Sequence, residues 1–241
     1  MCGMKFDFHS TLTQTGEVGF VERAVASLLY VEGLPGAGMN ELVVFESGDA
    51  GQVTALRESV IEVLSFSREP IRVGSRLART GKTVEVPVGE ALLGVTIDPL
   101  GRPLDSARPL GGFREYRELE VVPSGIKSRA RIRRQCKTGV TIVDLMLPLG
   151  YGQRELVIGD QKTGKSRFAL RVLRTQVMEG AVGIYVLIGK GKSAIRQVIE
   201  TLTRMGVRDR TIVVASSADD AAGMIYLTPY AAMTIAEYFR D

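Results

Sequence analysis

One eight-residue stretch constrains this chain more than any other. Residues 159–166 read Gly-Asp-Gln-Lys-Thr-Gly-Lys-Ser and fit the P-loop pattern G-x-x-x-x-G-K-[ST] in full. The apolar run Leu156–Ile158 before the loop predicts a buried strand, and Ser166–Met178 after it predicts a helix that ends at Gly180. Glycines let such a loop turn its N–H groups inward, and the helix adds the positive end of its dipole. The pattern therefore predicts a phosphate-binding loop between a strand and a helix.

Every position of the loop is a candidate contact to a nucleotide. We expect the Lys165 ammonium to reach the β and γ phosphates and the Ser166 hydroxyl to ligate Mg²⁺. A carboxylate at Asp160 would repel phosphate if it pointed inward, so we expect it to face outward. The predicted ligand is ATP or ADP with Mg²⁺. The candidate nucleotide-binding residues are Gly159, Asp160, Gln161, Lys162, Thr163, Gly164, Lys165 and Ser166.

After the loop, strand patterns alternate with helix patterns. Val182–Ile188 and Thr211–Ala215 are apolar runs typical of strands buried on both faces. Between them, apolar residues recur at helical spacing after Ser193, a residue suited to an N-cap. Thr228-Pro229 predicts the start of a last helix, since proline suits the first helical position. This order predicts an α/β domain with a parallel sheet.

The first half of the chain has a different pattern. Short apolar runs separated by turn residues predict a small closed barrel or a sandwich of β-strands. Residues 1–14 are expected to be disordered, and residues 98–135, rich in turn residues, are expected to form a long connection. The candidate strands are Val18–Val21, Leu28–Val31, Leu42–Phe45, Val53–Leu56 and Val60–Leu64.

Composition excludes several classes of protein. With 45% hydrophobic and 24% charged residues, global disorder is not expected. No apolar run approaches the ~20 residues of a membrane-spanning helix, and the N-terminus lacks the apolar core of a secretory signal. Cys2 and Cys136 do not make a disulfide framework or a zinc site. His9 is the only histidine, which argues against Ser-His-Asp catalysis and histidine-rich metal sites.

The positive charge of the chain is local. One segment without any acid, residues 127–137, carries six cations, more than the formal net charge of +4. Clustered cations can mark a nucleic-acid site, but a solvated linker is the favoured interpretation because no aromatic residue within the run would stack on bases. The six cations are Lys127, Arg129, Arg131, Arg133, Arg134 and Lys137.

Segments around the loop resemble one family. Residues 86–94 and 97–105, then 138–156 leading into the loop, and finally 226–230 and 237–241, are similar to the α subunit of the F-type ATP synthases. The resemblance covers residues 15–241 and is weaker over the first part. It implies a β-barrel in residues 15–87, followed by a RecA-like P-loop nucleotide-binding domain in residues 88–241.

The resemblance favours an α-type rather than a catalytic β-type subunit. Asp160, Gln161 and Thr163 match the α loop, and Lys190 stands where β subunits carry a catalytic glutamate and α subunits usually carry glutamine. The family thus implies a regulatory site that binds Mg-ATP without turning it over, so no catalytic residue is predicted. It also implies β-type partners in an alternating hexameric ring, a central shaft subunit, and ATP synthesis coupled to hydrogen-ion or sodium-ion transport.

The implied location is a peripheral complex on the cytoplasmic face of a bacterial inner membrane, or its organellar equivalent, with only indirect membrane contact. There are departures from the family. Lys162 replaces a usual glutamine, and Asp241 falls where the family's next strand, which carries a metal-holding acid, would begin. The nucleotide-binding domain is therefore expected to be incomplete.

Two other functions stay open. A stand-alone RecA-like ATPase would need a carboxylate to orient water, and Lys190 argues against one. Nucleic-acid binding through residues 127–137 is the other alternative. Cys136 is interpreted as a small apolar residue, and Tyr226 and Tyr230 as core or interface aromatics.

Overall fold

Six antiparallel strands close into a barrel in the first half of the chain. The computed structural model describes residues 7–104, 113, 115–121, 125, 127 and 130–241. The barrel order is β1-β2-β5-β4-β3-β6, and its interior is filled by side chains such as Val21, Leu29, Val63 and Leu77. The sequence left barrel and sandwich open, and the barrel implied by the resemblance is confirmed. The strands are β1 (Val18–Val25), β2 (Leu28–Glu32), β3 (Glu41–Phe45), β4 (Ala50–Leu56), β5 (Ile61–Ser65) and β6 (Arg76–Thr83).

A short helix, α1 (Phe8–Thr15), precedes the barrel. The prediction of disorder over residues 1–14 is wrong for residues 8–14, while residues 1–6 lie outside the described part. Asp7 caps the helix by accepting a hydrogen bond from the His9 N–H, and Gly16 ends it with a φ of 70°. Phe8 is buried against Val44 and Ala78 of the barrel, and this burial explains the order.

Short strands lie between the barrel and the P-loop, and buried residues of β7 (Glu85–Val88) and β8 (Thr96–Ile97) belong to the hydrophobic core of the second half. The strand β7 pairs antiparallel with β9 (Glu115–Glu118), and β8 joins a different sheet. The predicted turn at residues 98–103 is present. The Asp98 carboxylate accepts hydrogen bonds from the N–H groups of Leu100 at 2.9 Å and Arg102 at 2.8 Å. Gly101 adopts a φ of 78°, which glycine permits at no steric cost.

We expect Asp98→Asn to stabilise the protein near pH 7 and to be neutral near pH 3. Burial raises the pKa of the Asp98 carboxyl, although hydrogen bonds and Arg102 act in the opposite direction. Because the pKa of Asp98 is higher in the folded than in the unfolded protein, the protonated carboxyl favours folding. This contribution to stability is present below the unfolded pKa and is lost as the pH rises through the folded pKa. Asparagine keeps the acceptor oxygen without the charge, and urea unfolding at both pH values measures the difference.

The matched variant is Asp98→Ala, which removes both accepted hydrogen bonds. It should lower the free energy of unfolding by about 1–2 kcal/mol at either pH. If the asparagine variant lost as much stability near pH 7 as the alanine variant, the assignment of a net burial penalty to this carboxylate would be wrong.

The second half is an α/β unit built on a parallel sheet, as the strand–helix alternation predicted. The strands β12 (Gly183–Lys190) and β8 flank β13 (Thr211–Ser217), and both pairings are parallel. The strand β13 is completely buried, and helices pack on both faces of this sheet. The elements are β10 (Gln135–Cys136), α2 (Thr141–Met146), β11 (Leu149–Gly150), α3 (Lys165–Met178), β12 (Gly183–Lys190), α4 (Lys192–Arg204), β13 (Thr211–Ser217) and α5 (Ala222–Arg240).

Three boundaries differ from the sequence predictions. The helix α4 begins at Lys192 with Gly191 at its N-cap position, so the expected N-cap at Ser193 is wrong. Leu156–Ile158 is not a strand, and Leu156 and Ile158 are each 81% exposed. An apolar run indicates a preference for burial, but it does not supply the neighbouring strand on which burial depends. The last helix begins at Ala222, so Pro229 lies inside it rather than at its start. Within the described residues, no helix is long and apolar enough to cross a bilayer.

α5 joins the barrel to the second unit. Leu227, Ala231 and Ile235 of this helix are buried in a core shared with β7 and with Ile212 of β13. At its start the helix approaches the end of β5, where Gly223 lies against Ser65 and Phe66. Arg68 pairs with Asp220 beside this contact. The predicted domain boundary between residues 87 and 88 stays a prediction, since this core includes residues from both sides of it.

Candidate functional site

The P-loop lies at the start of α3, as predicted. Gly164 directly precedes the helix with a φ of 97°, a conformation that favours glycine. Lys162 has a φ of 63°, which is uncommon for a residue with a side chain. Every residue from 159 to 164 is exposed. The loop is therefore accessible to a ligand, and the helix directs its N-terminus towards it.

The Lys165 side chain is hydrogen-bonded to the backbone of the loop. Its Nζ donates hydrogen bonds to the carbonyl oxygens of Gly159, at 2.5 Å, and of Asp160. The Thr163 hydroxyl donates to the Asp160 oxygen at 2.8 Å and lies 3.4 Å from the same Nζ. These contacts fold residues 159–163 around one ammonium group. The positive charge that a phosphate needs is thus already held at the mouth of the loop.

The backbone of the loop provides further donors. The N–H groups of residues 161–164 donate to no other group in the described part of the chain. The first N–H groups of any α-helix also lack partners within the helix, and here they belong to α3. Free N–H groups beside a fixed ammonium are the donor set that phosphate oxygens accept. The residues therefore fit the terminal phosphates of a nucleotide.

Tyr185 of β12 is a residue near Ser166 that sequence reasoning missed. Burial raises the pKa of the Tyr185 hydroxyl, and the hydrogen bond with Ser166 opposes this shift only in part. In the sequence, Tyr185 stands out only because its hydroxyl is a polar group within the apolar run Val182–Ile188.

A metal at this loop would depend on few protein ligands. Within the described ranges, no three His, Cys, Asp or Glu side chains form a group that would hold a metal ion. Mg²⁺ commonly keeps several waters and takes phosphate oxygens beside one or two protein groups. Ser166 fits that role, and Mg²⁺ bound there would neutralise part of the phosphate charge.

The carboxylate of Asp220, which follows β13, has structural partners. Asp220 accepts a hydrogen bond from the Ser217 N–H at 2.7 Å and pairs with Arg68 of the barrel side. Its carboxylate therefore holds a turn and the joint between the two units. At the end of β12, Lys190 lies level with Ser217 in the parallel pairing, so the tip of that strand is cationic.

Part of the basic run has structural partners. The Arg134 guanidinium stacks on the Tyr151 ring at 3.9 Å, and Lys137 pairs with Glu179 at 3.2 Å. Arg131 and Arg133 are exposed, whereas Arg129 lies outside the described residues. Half-buried Cys136 has a pKa raised chiefly by burial, which disfavours a reactive thiolate. The linker interpretation stays a prediction, and Arg134 and Lys137 connect the run to the P-loop unit.

Tyr226 and Tyr230 form an exposed pair on α5. Their rings lie 5.1 Å apart, and the Tyr226 hydroxyl donates to the Tyr230 oxygen at 3.2 Å. They are 44% and 37% exposed, so the interpretation as core aromatics is wrong, while an interface role stays a prediction. The hydrogen bond to Tyr230, followed by burial, raises the pKa of Tyr226 to about 12.

We expect Tyr230→Phe to lower the pKa of Tyr226 towards the ordinary tyrosine value, because the substitution removes the partner oxygen. An ultraviolet titration of tyrosinate measures the change, and the difference from a Tyr226→Phe protein isolates the signal of this residue. A Tyr226 titration that stayed as late as in the unsubstituted protein would show that the pair does not cause the shift.

Comparisons with known proteins agree with the geometry of the site. Residues 139–241, which include the loop, match the family described as "ATP synthase alpha/beta family, nucleotide-binding domain". "ATP synthase subunit alpha 1" from Paraburkholderia xenovorans (strain LB400) is 42% identical over 225 residues. The alignment covers 93% of this chain and 44% of the relative, so the chain spans less than half the length of the curated relative it matches.

Proposed function

We propose that the chain, whose residues 139–241 match the nucleotide-binding domain of the ATP synthase alpha/beta family, is an α-type, non-catalytic ATP-binding subunit. One observation carries the proposal. The loop at residues 159–164 has free N–H groups, and Lys165 holds an ammonium beside them. This donor set suits the phosphates of ATP or ADP with Mg²⁺.

The absence of turnover is the second part of the proposal. Phosphoryl transfer to water needs a group that orients the attacking water. Lys190 stands where catalytic relatives carry glutamate, and a lysine cannot accept a proton from that water while it is charged. Asp220 is engaged by Arg68 and the Ser217 N–H. Both observations support binding without hydrolysis.

The assembly is proposed from similarity to the α subunit. We place the chain with catalytic β-type subunits in an alternating ring around a central shaft. In this complex, ATP synthesis would be coupled to ion transport. The complex would be peripheral to a membrane, on the cytoplasmic face in a bacterium. Nucleotide bound at the loop would stabilise the folded subunit and its contacts, since a ligand specific to the folded state contributes to its stability.

Thermal unfolding with and without Mg-ATP tests the proposal. At a hundredfold excess over Kd, binding to the folded state alone should add about 2.7 kcal/mol and raise Tm by several degrees. ATP with a chelator and Mg-ADP are the companion samples, and a phosphate-release assay on the same protein should give no signal. An unchanged Tm would refute nucleotide binding. Release of phosphate by the unsubstituted protein that stopped in Lys165→Ala would refute the non-catalytic role.

A further inference from the structure

We propose that Asp144 is a positioning residue for the nucleotide site: it fixes a turn that holds the P-loop helix α3 in its place. The inference rests on the proposed function of the loop. Asp144 lies in α2, and we call residues 137–144 the Asp144 turn. Nothing in the sequence spacing connects this turn to the P-loop, which begins 15 residues later.

The carboxylate of Asp144 organises the turn through both of its oxygens. Oδ1 accepts hydrogen bonds from the Thr138 N–H at 2.8 Å and the Thr138 hydroxyl at 2.7 Å, and Oδ2 accepts from the Gly139 N–H at 3.1 Å. Thr138 is completely buried. These bonds, led by the one from the Thr138 backbone, lower the pKa of Asp144 and keep it ionised at neutral pH. One side chain therefore fixes two consecutive peptide groups.

The Asp144 turn contacts α3 through three consecutive carbonyl oxygens. The Gln176 amide donates to Lys137 O at 2.7 Å, and the Arg171 Nε donates to Gly139 O at 2.8 Å. The Thr175 hydroxyl lies 3.3 Å from Thr138 O, but it shares its single proton with Arg171 O of its own helix, at 3.0 Å. The three side chains extend over somewhat more than one turn of the helix, and the bonds of Arg171 and Gln176 fix both its rotation and its height.

Gly139 makes the contact close. Its φ is 74°, and a Cβ at this position would overlap the Thr175 side chain. A residue with a side chain would therefore push the turn away from α3. Asp144 accepts a hydrogen bond from the Gly139 N–H, and Arg171 donates one to the Gly139 carbonyl oxygen. Both polar backbone groups of this glycine are therefore hydrogen-bonded.

The consequence for the site follows from the stiffness of a helix. The opposite side of α3 packs on the sheet through Leu170 and Val177. The helix is thus held between an apolar core and the polar Asp144 turn. Arg171 is six residues from Lys165, about 9 Å along the axis, so a displacement at Arg171 moves the start of the helix as well. Because the donors of the loop must meet phosphate oxygens within narrow distances, the turn influences nucleotide affinity.

The test compares Mg-ATP affinity among full-length variants at a temperature where each is folded. Asp144→Ala should weaken binding about tenfold, and Asp144→Asn, which keeps one acceptor oxygen, should lie between it and the unsubstituted protein. Glu179→Gln is the control. It removes the ion pair of the Lys137 side chain at the edge of the turn and leaves the Asp144 bonds and the contacts of the turn's carbonyl oxygens intact, so its Kd should be unchanged. Equal affinity in Asp144→Ala and the unsubstituted protein would overturn the inference.

A second variant and a second measurement cover the remaining cases. Arg171→Met keeps the apolar stem but loses the bond to Gly139, and it should weaken binding severalfold even if Asp144→Ala does not fold. Without nucleotide, hydrogen exchange in Asp144→Ala, or in Arg171→Met if that protein alone folds, should increase at the amides of residues 165–168 and not in α4. Exchange that increased everywhere, or nowhere, would refute positioning. If the unsubstituted protein bound no Mg-ATP, the proposed function would fail while the exchange measurement still decided this inference.

Discussion

Gly223→Ala is expected to destabilise the protein, although the same exchange within most helices is stabilising. Alanine normally gains up to about 1 kcal/mol over glycine in a helix. Here a Cβ would lie 2.8 Å from Phe66 Cδ1, 3.2 Å from Leu64 Cγ and closer still to the Ser65 carbonyl oxygen. The backbone of β5 is paired within the barrel and cannot give way easily, so overpacking should cost about 1–3 kcal/mol.

Urea unfolding measures this change, and a Tm lowered by several degrees should accompany it. Gly191→Ala is the matched control. Gly191 has a φ of −60°, and an added Cβ would meet only the Ser193 hydroxyl at 3.9 Å. That variant should change stability by about 0.5 kcal/mol or less. A stabilised Gly223→Ala protein would mean that α5 does not approach the barrel as closely as described.

Lys165→Ala is expected to weaken Mg-ATP binding by about one to two orders of magnitude and to reduce the thermal protection by Mg-ATP accordingly. A hydrogen bond to a charged group contributes about 1.5–3 kcal/mol, which corresponds to this range. The substitution also removes the bonds that fold residues 159–163 around the ammonium. Calorimetric titration with Mg-ATP gives the affinity directly.

The control for Lys165→Ala is Lys82→Ala, which removes the same charge from an exposed position on β6 of the barrel. Its affinity for Mg-ATP should equal that of the unsubstituted protein. If both variants lost affinity equally, net charge rather than the loop would account for binding. If neither lost affinity, ATP would bind elsewhere on the chain.

The predictable part of the fold was the part with local signals. β1 to β5 were found because short apolar runs lie between turn residues. β6 was missed because Arg76, Arg79 and Lys82 give it a polar sequence, and only the structure shows Arg79 paired with Glu17 and Glu41. α1 carried a recognisable Asp7 cap, but its stability comes from the burial of Phe8 in the distant barrel.

The site divides in the same way. The helix α3 and the exposed loop before it were found because the motif, the glycines and the helix are contiguous, while the contacts of residues 159–166 to a nucleotide stay a prediction. Tyr185 is 19 positions away from Ser166, and the residues of the Asp144 turn that contact α3 are more than 30 positions away from their partners. No pattern in the sequence predicts such distant neighbours. The predicted strand at Leu156–Ile158 was wrong for the opposite reason, since its apolar signal was local, whereas Leu156 and Ile158 are exposed and pair with no strand in the described part of the chain.

The closure of the barrel has a consequence for how sequences of this kind can be recombined. Each of its six strands is hydrogen-bonded to a neighbour on both sides, so the barrel needs no strand from elsewhere to complete its ladders. Residues 18–83 can therefore be exchanged for the corresponding segment of a relative without breaking a strand pairing. The adaptations such a chimera requires lie at two surfaces, one where β5 meets Gly223 and Arg68 meets Asp220, and one where Phe8 of α1 packs on Val44 and Ala78.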